Sequence, residues 1–135
     1  MSKDQKPNQM YRFEKLRVYH NALDLVQTIY KLIKQLPSDE KFALIDQLKR
    51  SVTSIVLNIA EGTGALGDVE FKSFLRNALK SLYETVAGLK IAEKLFNVNV
   101  IIALEKCETV GKELNALIKS LSSQRLKSKR LKTID

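Results

Sequence analysis

The sequence predicts an all-α protein, an antiparallel up-down-up-down four-helix bundle that ends in a basic, disordered C-terminal tail. Three observations lead to that class. Only two prolines occur in 135 residues, Pro7 and Pro37, and all five glycines lie between Gly62 and Gly111, so most of the chain carries no helix breaker. Apolar residues recur in alternating steps of three and four, the period of a helix, and not in the alternating runs of strands. The connections between apolar-periodic segments are short, which makes successive helices antiparallel neighbours. A chain of this length holds one core, divided as a disordered lead-in over 1–12, the bundle over 13–122 and the tail over 123–135.

The first helix is expected from about Glu14 to Leu36, ended by Pro37, which lacks an amide donor and clashes with the preceding turn. Leu16, Tyr19, Leu23, Val26, Tyr30 and Ile33 make its core stripe. Val18, Ala22, Leu25, Ile29, Leu32 and Leu36 form a second apolar arc, so that 12 of the 22 residues from Lys15 to Leu36 are apolar. A bundle helix needs about three in seven, and the surplus calls for a partner beyond the chain itself.

Ser38 is expected to cap the second helix, with Asp39 and Glu40 in its first turn where the dipole favours anions. It reads to about Glu61, with Ile45, Leu48, Val52, Ile55 and Ile59 facing the core and Gln47, Ser51, Ser54, Asn58 and Glu61 forming a small polar stripe. After the loop GTGALG, Asp68 is expected to cap a third helix reaching Phe96, with Phe71, Leu75, Ala78, Leu82, Leu89 and Phe96 inside. It too has a small or polar stripe, Asn77, Ser81, Glu84 and Gly88, which can face the stripe of the second helix. The short connection Asn97–Asn99 leads into a fourth helix with the seam Val100, Leu104, Cys107, Gly111, Leu114, Ile118 and Leu121.

Several chemistries are unsupported. A single cysteine, Cys107, leaves no internal disulfide and no zinc cluster, and it reads as a small buried hydrophobe. The only histidine, His20, has no Glu-x-x-His context, so a di-metal bundle is not expected, and it reads as a surface residue near Asp24. GTGALG lacks the preceding strand and the Gly-Lys-Ser/Thr of a phosphate loop, and reads as a helix C-cap in which Gly62 or Gly64 takes the left-handed conformation. Glu61 and Glu84 could form a catalytic carboxylate pair. The competing reading is a structural polar layer of Arg50, Asn58, Glu61, Ser81 and Glu84, in which the acids pair with Arg50 or Arg76. No catalytic residue, cofactor or metal is therefore expected. The polar opening MSKDQKPNQ and the absence of a long apolar run point to a cytoplasmic protein with no membrane span.

The net charge of +8 and a pI near 9.6 point to an acidic partner, nucleic acid first. Between Ser123 and Asp135 five cations (Arg125, Lys127, Lys129, Arg130 and Lys132) face one acid. With Lys119 they are the expected phosphate contacts.

FEKLRVYHNALDLV, QLKRSVTSIVLNIAEGTG and FKSFLRNALKSLYETVAGLKIAEKL together resemble the bacterial four-helix-bundle family of proteins encoded in intervening sequences of large-subunit ribosomal RNA genes. The resemblance spans about Phe13 to Ser122, with Val56 and Ala65 standing where that family commonly has a proline and a basic residue. It implies a ring-shaped homo-oligomer, usually a pentamer, without known catalysis and associated with RNA. It also implies a distant relation to the accessory variability proteins of diversity-generating retroelements. An alternative function is a protein-binding adaptor for a nucleic-acid enzyme such as a reverse transcriptase.

Overall fold

The computed structural model describes the backbone of residues 11–134 and, except at position 41, the side chains of residues 11–123. Residues 1–10 of the expected lead-in, and the side chains of Arg125, Lys127, Lys129, Arg130 and Lys132, lie outside the described residues. Four α-helices dominate the rest: α1 Arg17–Leu32, α2 Asp46–Thr63, α3 Asp68–Phe96 and α4 Ile101–Ile134. Each packs on its neighbours in sequence, and α1 closes the square against α4, which leaves α1 and α3 on a diagonal. The most extensive contact is between α2 and α3.

The first helix starts later than its apolar pattern implies. A 3-10 turn spans Arg12–Lys15, and Leu16 is extended at φ −89° and ψ 128°. The turn is held locally: the Tyr11 amide donates to the Glu14 carboxylate at 3.1 Å, and the Phe13 ring lies 4.8 Å from that of Tyr19. At the other end Leu36 is extended, as the residue before a proline prefers. The chain then re-enters helix at Ser38, first as a 3-10 turn Ser38–Glu40 and then as a π turn Lys41–Ile45 that runs into α2.

The two apolar arcs of α1 exchange roles. Val18, Ala22, Leu25, Ile29, Leu32 and Leu36 form the buried side, all at most 7% exposed. The stripe expected in the core is the outer one: Leu23 is 41% and Tyr30 38% exposed, Leu16, Tyr19 and Val26 are half-buried, and only Ile33 is buried. Both arcs satisfy helical spacing, so the sequence pattern cannot choose between them. The smaller Val18 and Ala22 on the buried side permit close packing against α2 and α4.

Of the core positions expected in the second helix, Leu48, Val52, Ile55 and Ile59 are fully buried, and Ile45 is half-buried at the end of the π turn that precedes α2. In α3 the cap is Gly67, extended at φ −160°, and Asp68 occupies the first helical position. The C-terminus of α3 is closed by Asn97 in the left-handed region at φ 57°, its amide donating to the Glu93 carbonyl at 3.1 Å. Asn99 then accepts from the Ile101 amide at 3.1 Å and starts α4. Ala103, Cys107, Val110, Leu114 and Leu121 form the buried line of α4. The helix carries on through the stretch expected as tail, to Ile134, and no glycine or proline interrupts it there.

The expected left-handed glycine cap is corrected. No glycine among the described residues has positive φ. Gly64 ends α2 at φ −87° and ψ −2°, its amide donating to the Glu61 carbonyl at 3.0 Å. Gly62 lies inside the helix, where an added Cβ would sit 2.9 Å from Phe71 Cδ1 and 3.0 Å from Phe74 Cβ. Its missing side chain makes room for the start of α3. Gly88 does the same at the other end of this contact, where a Cβ would meet Leu48 Cδ2 at 2.7 Å.

Candidate functional site

The polar stripes of α2 and α3 face one another, as their spacing suggests, and the hydroxyl groups carry the contact. Ser81 Oγ donates to Ser54 Oγ at 2.9 Å, and Asn58 Nδ2 donates to the carbonyl and hydroxyl oxygens of Ser54 at 2.9 and 3.1 Å. Thr85 Oγ1 lies 2.9 Å from both Ser51 Oγ and the Ser81 carbonyl, so its single proton serves one of them. Ser51 and Thr85 are buried, and no buried side-chain nitrogen or oxygen among the described residues lacks a partner. Small side chains let the helices approach, and each hydroxyl has a hydrogen-bond partner in the seam.

The charged residues expected in this layer stand outside it. Arg50 is exposed and pairs with Asp46 one turn back at 3.3 Å. Glu84 is exposed and accepts from Gln47 Nε2 at 3.3 Å, and Glu61 is exposed at the end of α2. Neither acid forms an ion pair with Arg50 or Arg76 among the described residues. In the antiparallel register set by the Ser54–Ser81 bond, Glu61 is level with position 74, about 15 Å along the bundle from Glu84. That separation exceeds the roughly 5 to 9.5 Å used by paired glycosidase carboxylates. Asn58 and Ser81 remain as the members of the expected layer that meet through Ser54.

Other polar contacts were not legible in the sequence. Lys106 of α4 bridges to α1, 2.8 Å from Asp24 and 2.7 Å from Thr28 Oγ1. Asp24 therefore serves α4 and not His20, whose Nε2 lies 2.6 Å from the Glu14 carbonyl. Asn21 donates to Glu113 at 2.7 Å in the same α1–α4 groove. Lys72 is buried along its stem and reaches Ser122 at 3.3 Å. Apolar periodicity does not mark a lysine as a core residue, although its aliphatic stem covers core readily. Cys107 is 2% exposed, and burial pushes its thiol from 9.0 up to about 11. It is held as an unreactive thiol at neutral pH. No set of three or more His, Cys, Asp or Glu side chains suited to a metal occurs among the described residues.

Two surfaces remain for partners. The first is the outer side of α1 and α2, where Leu23, Tyr30 and Leu57 are exposed and Tyr19, Val26, Val56 and Ala60 are half-buried. It carries a shallow groove of about 370 Å³ lined by Tyr30, Ile33, Leu36, Ile45 and Lys49, with the Lys49 ammonium 5.5 Å from the Tyr30 ring centre. The second is basic. Lys119 is exposed on α4, and α3 turns Arg76, Lys80, Lys90 and Lys94 outward. From the sequence Arg76 is expected to pair with an acid of the polar layer and the three lysines have no expected role, although the spacing of four, ten and four residues is legible as one helical face.

The family model described as 23S rRNA-intervening sequence protein matches residues 14–123. The chain is also similar to the crystal structure of a protein with unknown function from the S23 ribosomal protein family of Bacteroides thetaiotaomicron VPI-5482. The two are 29% identical over 78% of this chain and 95% of that one, with a TM-score of 0.57. No curated protein matches the chain. No helix among the described residues is long and apolar enough to cross a membrane.

Proposed function

Because the chain belongs to the 23S rRNA-intervening sequence protein family, we propose that it acts as a non-catalytic homo-oligomeric bundle that associates with RNA in the cytoplasm. The observation that carries the assembly is the outer arc of α1, where Leu23 and Tyr30 stand beside half-buried Tyr19 and Val26 and continue onto Val56, Leu57 and Ala60 of α2. Such a contiguous apolar surface is rare on a monomer and is stabilised when a second copy covers it. A closed ring, with five copies as the favoured number, covers it in every subunit.

The RNA reading is supported by charge. Half of the net +8 lies between Ser123 and Asp135. Lys119, Arg125, Lys127, Lys129, Arg130 and Lys132 displace counterions from phosphates, and a ring multiplies these weak contacts by avidity. A second reading, an adaptor that holds a helix of a nucleic-acid enzyme, is favoured by the apolar groove lined by Tyr30, Ile33, Leu36 and Ile45.

Mass in solution tests the assembly: the expected particle is five times the 15.3 kDa chain, and Leu23→Glu with Tyr30→Glu returns it to a folded monomer. A wild-type chain that stays monomeric at micromolar concentration refutes the reading. For RNA, neutralising the five tail cations should make the slope of log affinity against log salt shallower by about 3 to 4. Partners captured from lysate that survive nuclease would favour the adaptor.

A further inference from the structure

The third helix carries a line of cations that the packing of the bundle does not use. Arg76, Lys80, Lys90 and Lys94 are all exposed, and none takes part in an ion pair among the described residues. At 100° per residue they fall within a sector of roughly 80° on α3, and the line from Arg76 to Lys94 is about 27 Å long at 1.5 Å per residue. Tyr83 lies in the same sector, between Lys80 and Lys90, and is 67% exposed. The acids of α3 (Asp68, Glu70, Glu84 and Glu93) lie outside the sector, and Glu84 is engaged by Gln47. Across the groove on α4, Glu108 is paired with Lys112 at 3.1 Å.

A solvated helix face ordinarily interleaves charges of both signs at three- and four-residue steps. This face has one sign and an aromatic ring in its middle. Its helix is diagonal to α1, so the apolar arc of α1 and the basic line of α3 are on opposite sides of the bundle. Burying four unpaired cations against another subunit would be costly, so the proposed assembly is expected to leave this line in water.

We propose that the outward face of α3 is a track for single-stranded RNA, with Arg76, Lys80, Lys90 and Lys94 meeting phosphates and Tyr83 stacking on an unpaired base. The inference rests on the RNA-associated reading above and locates the contact on the folded bundle as well as on the C-terminal cations. A polyanion with regularly placed charges matches a straight row of cations. An accessible aromatic face needs a base free of its own helix, which selects a single strand over a duplex.

The test uses the full chain and fluorescein-labelled oligouridine of about 20 nucleotides, matched to a few site sizes of a single-strand binder, with anisotropy followed across potassium chloride concentration. The fourfold variant Arg76→Gln, Lys80→Gln, Lys90→Gln, Lys94→Gln should lose about 3 from the slope of log affinity against log salt, and a chain with its five tail cations neutralised should retain that share. Tyr83→Ala should weaken binding roughly 5- to 100-fold, and Tyr83→Phe, which keeps the ring, should restore it. All five side chains are exposed, so circular-dichroism melts should match the wild type. If the wild type binds RNA and the fourfold variant has an unchanged slope, the track is refuted while the tail reading stands. If the wild type does not bind at all, the RNA reading itself fails and takes the track with it. Equal loss of binding to polyglutamate in the fourfold variant would make the face a general polyanion surface and overturn the assignment to RNA.

Discussion

Replacing Gly88 by alanine sets two opposed effects against each other, and the structure decides the sign. In an unconstrained helix interior the change stabilises by about 1 kcal/mol, because alanine loses less backbone entropy. At this position the new Cβ lands 2.7 Å from Leu48 Cδ2 and 3.3 Å from Leu48 Cγ. Leu48 is fully buried, so it cannot swing into solvent. Overpacking of that kind costs about 1 to 3 kcal/mol, leaving Gly88→Ala destabilising by up to about 2 kcal/mol. The clash has one principal partner, which gives a sharper forecast. Leu48→Ala alone should cost about 2 to 5 kcal/mol, but in that background Gly88→Ala meets nothing close and should stabilise by about 1 kcal/mol. The measurement is a double-mutant cycle from urea unfolding followed by circular dichroism, at one protein concentration because assembly contributes to stability. The sign of the Gly88→Ala effect should reverse between the two backgrounds. The same effect in both would show that α2 and α3 are not in contact at Leu48 and would refute the close-approach account of Gly88.

Three further outcomes follow from the same seam and core. Gly64→Ala occupies a right-handed site where the nearest atom to a new Cβ is the Glu61 carbonyl oxygen at 3.5 Å, so thermal melting should show a gain of about 0.4 to 1 kcal/mol. Thr85→Val removes a hydroxyl beside buried Ser51 and should cost about 1 to 2 kcal/mol, whereas adding Ser51→Ala should add little, since both partners are then gone. The thiol of Cys107 is raised from 9.0 to about 11, so above pH 9 the unfolded chain releases a proton that the native chain keeps. Stability from this group is complete below pH 9 and declines as pH rises to 11, by about 2 to 3 kcal/mol relative to Cys107→Ala. A difference between the two chains that stays flat with pH would contradict burial of that sulfur.

The sequence by itself determined the class, the number of helices and which helices carry facing polar stripes, because helical periodicity, breakers and caps are local properties of the chain. It also named most of the core of α2 and α3, whereas in α4 the buried line runs through Ala103 and Val110 and leaves the expected Leu104, Gly111 and Ile118 half-buried. Tertiary structure alone decided which of the two apolar arcs of α1 turns inward, since Val18–Leu36 and Leu16–Ile33 have equal spacing and only the shapes of α2 and α4 distinguish them. It decided that Gly62 serves helix contact and not a left-handed turn, which depends on atoms of another helix. It also removed Arg50, Glu61 and Glu84 from the polar layer, left Asn58 and Ser81 in it and added the hydroxyls of Ser51, Ser54 and Thr85. Periodicity places residues to within about one position around a helix, and that interval separates a side chain in a dry seam, where only a short, fully bonded group is stable, from one at the rim, where a charge keeps its water.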